Sequence, residues 1–293
     1  MVTLLALLIG AALMARINYV RARSDRRGAF RLGAFVFAAA MTLWVLRAHH
    51  VLSLGMFGEL ILAVAHSLFL AAVVWVVYLA LEPYVRRHWP QTIISWSRLL
   101  AGRVRDPLLG RDVLTGVLLG LLWAAIFGAY LVVIRRLGAT PIIGPTEYLL
   151  GGRRLFATWL GHVVSSIETT LAFFFMLFLL RVLLRKPFLA AAAFVALLTA
   201  PRLLASTYTA ALAPTVIAVY AIAAIAVVRF GLVTLAAGIW TVDLLLSVPV
   251  TADPSAWYAG STAFVYLSIL GLAAYGFWTS LGGRRLWSEE LFD

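Results

Sequence analysis

The chain has 293 residues, 63% of them hydrophobic and none of them cysteine. The first figure excludes a water-soluble domain, which runs at about half apolar, and the second excludes disulfide and thiolate chemistry. The net charge is +12 and all but one of the 24 basic residues are arginine. These stand in short loops between apolar runs and not in a separate basic domain, which is a membrane-orientation signature, so no nucleic-acid partner is expected.

The apolar runs are roughly 14 to 25 residues long, long enough to cross a bilayer core. They do not alternate apolar with polar residues as barrel strands do, and helices are the other structure that can span lipid. The pattern predicts about nine spans, at 2–15, 29–47, 58–81, 113–134, 157–181, 187–200, 209–228, 230–249 and 258–280. The first starts at Met1 without a basic leader and runs into Arg16, so it reads as a span and not as a cleaved signal. The third carries Glu59 and His66, two helical turns apart on one face. After it comes the longest polar stretch, 82–112, read as a cytoplasmic loop. Its centre, QTIISWSRLLAGRVRD, predicts an interfacial amphipathic helix over about 91–105. Ile93, Trp96, Leu100 and Val104 form its apolar face, expected in the acyl boundary, and Arg98, Arg103 and Arg105 are expected to contact lipid headgroups. The fourth span opens with Gly116 and Gly120, a GxxxG spacing for close packing within or between chains. The fifth holds His162, Ser165, Ser166, Glu168, Thr169 and Thr170, the most polar patch of any span. The sixth is bracketed by Pro187 and Pro201 and reads either as a short span or as re-entrant. The eighth contains Asp243. The expected fold is an all-α, polytopic integral membrane helix bundle, residues 1–293 forming one multi-pass domain.

Arginine marks alternate loops: Arg16 to Arg31, Arg86 to Arg111, Arg181 to Lys186, and Arg284 with Arg285. With nine spans these fall on one side, which the positive-inside rule assigns to the cytoplasm, so the N-terminus is expected outside and the C-terminus inside. Arg135, Arg136, Arg153 and Arg154 run against the bias. Tryptophans such as Trp44, Trp75, Trp159 and Trp278 lie within or at the ends of predicted spans, as belt or packing residues do.

Three stretches carry a family likeness: LALEPYVRRHWPQTIISWSRLLAGRVRDPLLGRDVLTGVLLG, RARSDRRGAFRLGAFVFAAAMTLWVLRAHH and SAWYAGSTAFVYLSILGLAAYGFWTSLGG. Through them the chain resembles the multi-span membrane region at the C-terminal end of a group of bacterial serine/threonine protein kinases. The likeness covers most of the chain, but residues 135–210 match only in hydrophobicity. It implies a signalling role in the bacterial plasma (inner) membrane, and an order of kinase domain, crossing, extracytoplasmic segment and membrane region that also puts Met1 outside. The chain departs from the family in lacking the kinase: it has no glycine-rich loop, strand lysine, HRD-type catalytic loop or DFG, so no catalytic residue carries over.

Ionisable residues at membrane depth are candidates for function, or else polar groups that hold helices together. Here they are His162, Glu168, Asp243, Glu59 and His66, with Ser165 and Ser166 beside the first two. Three functions stay open. One is a non-catalytic anchor or sensor, the reading the resemblance favours. The second is a small transporter or channel using His162, Glu168 and Asp243. The third is an intramembrane enzyme, for which no nucleophile–base set is recognisable. No metal or cofactor is expected. Expected partners are anionic membrane lipid and either a second copy or a cytoplasmic signalling protein.

Overall fold

The computed structural model describes residues 2–21, 23–49, 53–140 and 146–283. Those residues form ten α-helices, one 3-10 turn and no strand. The helices are α1 (Val2–Val20), α2 (Arg26–Arg47), α3 (Leu54–His88), α4 (Pro90–Leu100), α5 (Pro107–Arg136), α6 (Gly152–Leu184), α7 (Pro187–Leu204), α8 (Thr209–Arg229), α9 (Leu232–Ser247) and α10 (Ala259–Ser280). The 3-10 turn, Glu147–Leu150, precedes α6. Seven helices are long and apolar enough to cross a membrane: α2, α3, α5, α6, α7, α8 and α10. In α1 (from Ile9) and in α9 the apolar stretch is shorter. The chain is a multi-pass helical membrane protein, and each predicted span lies on a helix.

The boundaries shift where polar groups find partners. α3 continues past residue 81 to His88. Its 35 residues extend about 52 Å, more than the roughly 30 Å hydrocarbon core, so Arg86, Arg87 and His88 can stand at headgroup level. α5 begins at Pro107, with Asp106 as its N-cap, so the polar segment read as 82–112 is mostly helical. α7 runs unbroken through Pro201 to Leu204 and reaches crossing length, as the short-span reading requires. α1 passes Arg16 to Val20, and the Asn18 amide donates to the Leu79 and Ala80 carbonyls of α3 at 3.1 Å each.

Close approaches set the bundle. α5 packs most extensively on α9, then on α10, while α2 and α1 pack on α3. A Cβ on Gly116 would lie 2.5 Å from the Thr234 carbonyl, and one on Gly120 would lie 2.5 Å from Thr241 Cβ and 2.7 Å from the Gly238 carbonyl. The GxxxG face is therefore spent inside the chain, against α9. Gly110 meets Ser280 and Gly276 of α10 equally closely. Large apolar side chains such as Leu62, Phe69, Leu118, Leu183 and Leu267 are more than half exposed, which lipid contact explains.

The bundle has two distinguishable ends. One gathers residues 23–31, 82–112, 181–187, 229–231 and 275–283, through contacts such as Arg31 to the Leu100 carbonyl, Tyr275 to the Val104 carbonyl and Arg181 over Trp89. It carries most of the described arginines. The other gathers Arg47, Glu147, Gly161 and the turn around Asp253.

Candidate functional site

Two polar constellations stand out, and the larger is built around α4 at the arginine-rich end. Pro90 occupies the first turn of α4, where its missing N–H costs nothing. The helix is amphipathic as the sequence predicts, but it stops at Leu100, because Gly102 takes a positive φ of 83° that ends a helix. Val104 therefore lies in the following turn and is 47% exposed. The apolar face is also covered differently from the expectation. Ile93 and Trp96 are 4% and 3% exposed, packed into the core of the protein's own spans and not into the acyl boundary. α4 touches α2, α3, α5, α8 and α9.

Hydrogen bonds explain why protein and not lipid covers that face. Ser95 donates to Asp112, a carboxylate 1% exposed at the start of α5. Arg111 donates to the other Asp112 oxygen at 3.0 and 3.2 Å, and Thr234 of α9 donates to the Asp112 carbonyl at 3.0 Å. On the other side Gly231, with φ 102°, lets the chain between α8 and α9 come within reach of the Thr92 carbonyl; a Cβ there would lie 2.6 Å from it. A second buried carboxylate, Glu82, accepts from the Asp25 backbone N–H at 3.0 Å and pairs with Arg86 one turn on. Asp25 in turn accepts from Gly28 at 2.9 Å, capping α2.

The three arginines expected at headgroups divide. Arg98 binds both oxygens of Asp106, at 2.7 and 2.9 Å, and so closes the turn between α4 and α5. Arg103 and Arg105 are exposed in that turn. Partial burial pushes the Asp106 carboxyl up, but the Arg98 hydrogen bonds and the Leu108 N–H outweigh it and hold it below the usual carboxylate range.

The second constellation lies toward the opposite end, and it regroups the sequence candidates. His162 Nδ1 is 3.8 Å from Asp243 of α9, not paired with Glu168. Arg47 approaches the same place: its guanidinium lies over Gly161, and its Nε is 3.9 Å from Glu147. His162 Nε2 is buried without a hydrogen-bond partner. Glu168 is half-buried with Oε1 unpartnered, and the ionisable side chain facing it is His66 of α3. Ser166 donates to the Val163 carbonyl of its own helix at 2.8 Å, the ordinary use of a membrane serine. Ser165 is half-buried on α6, while Glu59 and His66 are exposed on α3. Among the described residues no three of His, Cys, Asp and Glu come together to hold a metal.

Two apolar surface clefts flank α4. One, of about 1070 Å³, lies between α6, α7 and α8 and is closed at the arginine-rich end by Trp89, Pro90, Gln91 and Thr92. The other, of about 730 Å³, lies between α2, α6, α9 and α10 and ends at Trp96, Leu99 and Leu100. A single short helix thus forms the end wall of both. Of the residues that build this junction, Asp112, Glu82, Asp25 and Ser95 were not sequence candidates. They sit in two segments whose polarity reads as solvent exposure; the three carboxylates are marked only by acidity amid arginine, and Ser95 by nothing. No protein-family model matches the chain, and no curated protein or solved structure matches it.

Proposed function

We propose that the chain is a non-catalytic membrane module, a sensor that relays the state of its bilayer-embedded helices to the cytoplasm through α4. It acts as the membrane part of a bacterial signalling serine/threonine kinase would. One observation carries this reading: α4 packs on five other helices and walls both apolar clefts. A change in how lipid fills either cleft therefore bears on one element, which sits where a cytoplasmic partner could read it. In this reading the arginine-rich end faces the cytoplasm of a plasma membrane, with Met1 outside. The three resembling sequence stretches support it, one of them running through α4.

The chain has no native cysteine, so Leu99→Cys on α4 with Leu197→Cys on α7 gives a unique spin-label pair. Both positions are partly exposed, at 38% and 55%. The expected result is a distance distribution that changes between nanodiscs of different headgroup charge or thickness. An invariant distribution across all of them would sink the sensor reading.

The His162–Asp243 pair supports a second reading, proton or cation passage, because ionisable pairs at depth mark such paths. Reconstituted vesicles loaded with a pH-sensitive dye should then show a flux that His162→Gln abolishes. A flux no greater than that of protein-free vesicles rules this reading out.

A further inference from the structure

We infer that the cleft between α6, α7 and α8 is a specific binding site for one anionic phospholipid, its acyl chains in the cleft and its phosphate at the arginine-rich end. This deepens the sensor reading by naming the ligand that α4 would report.

The cleft fits amphipathic cargo. Its volume of about 1070 Å³ exceeds the range of roughly 300–1,000 Å³ for drug-sized ligands, leaving room for a larger amphiphile. Along most of its length the walls are alanine, valine, leucine and isoleucine, such as Ala191, Val195, Ala196, Ala221 and Ile225. α7, its outer wall, packs on α6 and α8 and presents alanines at 190–192, 196 and 200, leaving room where larger side chains would close the gap. An acyl chain meets there a groove of matching apolarity, which it can fill by close packing.

Charge is confined to one end. Arg181 and Arg229 line the cleft there, together with His88, and no acidic residue lines it anywhere. Among the described residues neither arginine pairs with a carboxylate. Arg181 is fixed instead by stacking over the Trp89 ring, 4.2 Å from its centroid. Two helices also begin at this end, α4 at Pro90 and α7 at Pro187, and both residues line the cleft. Two helices also end at this mouth, α3 at His88 and α8 at Arg229, so the helix dipoles offset one another and the net positive charge there comes from the guanidinium groups. Two guanidinium groups without carboxylate partners at the mouth of an apolar groove match a lipid phosphate above its own chains. A zwitterionic headgroup adds a cation that this mouth has no carboxylate to receive.

The full chain, purified in detergent and stripped of lipid, is titrated with phosphatidylglycerol or phosphatidylcholine of identical acyl chains and read by native mass spectrometry. The parent should bind one phosphatidylglycerol more tightly than phosphatidylcholine. Arg181→Gln with Arg229→Gln should lower phosphatidylglycerol affinity roughly tenfold to thirtyfold and leave phosphatidylcholine unchanged. Ala196→Phe with Ala221→Phe, filling the groove from two partly lipid-facing walls, should weaken both lipids. Arg185→Gln with Lys186→Gln removes exposed charge beside the cleft that does not line it, and should leave phosphatidylglycerol affinity intact. The site is refuted if the Arg181/Arg229 variant binds phosphatidylglycerol like the parent, if the Arg185/Lys186 variant loses as much, or if the filled groove binds both lipids as before. Stoichiometry and affinity are measured without reference to α4 movement, so failure here and failure of the sensor reading are separate results.

Discussion

Asp106 does two jobs with one carboxylate: it caps α5 through the Leu108 N–H and holds Arg98 across the turn. The jobs can be separated, because asparagine caps as well as aspartate but carries no charge. Asp106→Asn should cost less than about 1 kcal/mol, the worth of a partly exposed ion pair. Asp106→Ala should cost about 1–2 kcal/mol, because the cap goes too. Thermal unfolding in detergent would rank them. The folded carboxyl titrates below its unfolded value of about 3.9, so its stabilisation is complete above that pH and fades as the pH falls through the lower, folded value. The gap between parent and Asp106→Ala should therefore be widest near neutrality and close in acid; a gap that widened below pH 4 would contradict the assignment. Ser95 makes a sharper case. Removing its hydroxyl leaves the buried Asp112 short of a donor, at a cost of about 1–3 kcal/mol. If Ser95 pins α4, Ser95→Ala should also speed proteolysis in the turn at 101–106, and an unchanged cleavage rate would show that packing alone holds the helix.

Between elements, the glycines of α5 give a paired test. A methyl on Gly116 or Gly120 has no room against α9, so Gly116→Ala or Gly120→Ala should destabilise by about 1–3 kcal/mol. Gly128 lies farther along the same helix with nothing within 4 Å of a would-be Cβ, so Gly128→Ala should be neutral or slightly stabilising. Equal melting temperatures for all three would mean that the α5–α9 crossing is looser than described. The helices themselves were legible in the sequence because bilayer thickness dictates a run length, and few other structures produce such runs. Their partners were not. Spacing along one helix puts His162 beside Ser165 and Ser166, and suggests Glu168 as a companion, but only packing brings Asp243 from α9 to His162 and His66 from α3 to Glu168. The same limit applies to α4. Its amphipathic period is visible in Ile93 and Trp96, yet whether lipid or protein covers that face depends on Asp112 and Gly231, which belong to other segments.

For the molecule as a whole, the arginine asymmetry between the two ends makes a topology claim. Reporter fusions after Arg27 and after Asp106 should read as cytoplasmic, and a fusion after Ala139, at the opposite end, as external. Any reversal breaks the proposed orientation. Arg135, Arg136, Arg153 and Arg154 sit at the end assigned to the exterior and run against the overall bias. Arg47 stays at that same end beside Glu147, 3.9 Å away, which offsets part of its cost there.

The fit of α5 against α9 has a consequence for how the protein is made. Asp112 and Thr234, which join the two helices, are 122 residues apart in sequence. At about 5–20 residues per second a ribosome needs roughly 6–24 seconds to travel that distance. Through that interval α5 sits in the membrane with its small-residue face bare and the Asp112 backbone carbonyl without the Thr234 hydroxyl. Such a face is the kind that brings helices of separate molecules together. A nascent chain halted after Arg229 should accordingly self-associate in the membrane through Gly116 and Gly120, and crosslinking should detect it. Release of α9 should dissolve that pairing, so that the late-made helix acts as the intramolecular rival that keeps newly synthesised copies apart.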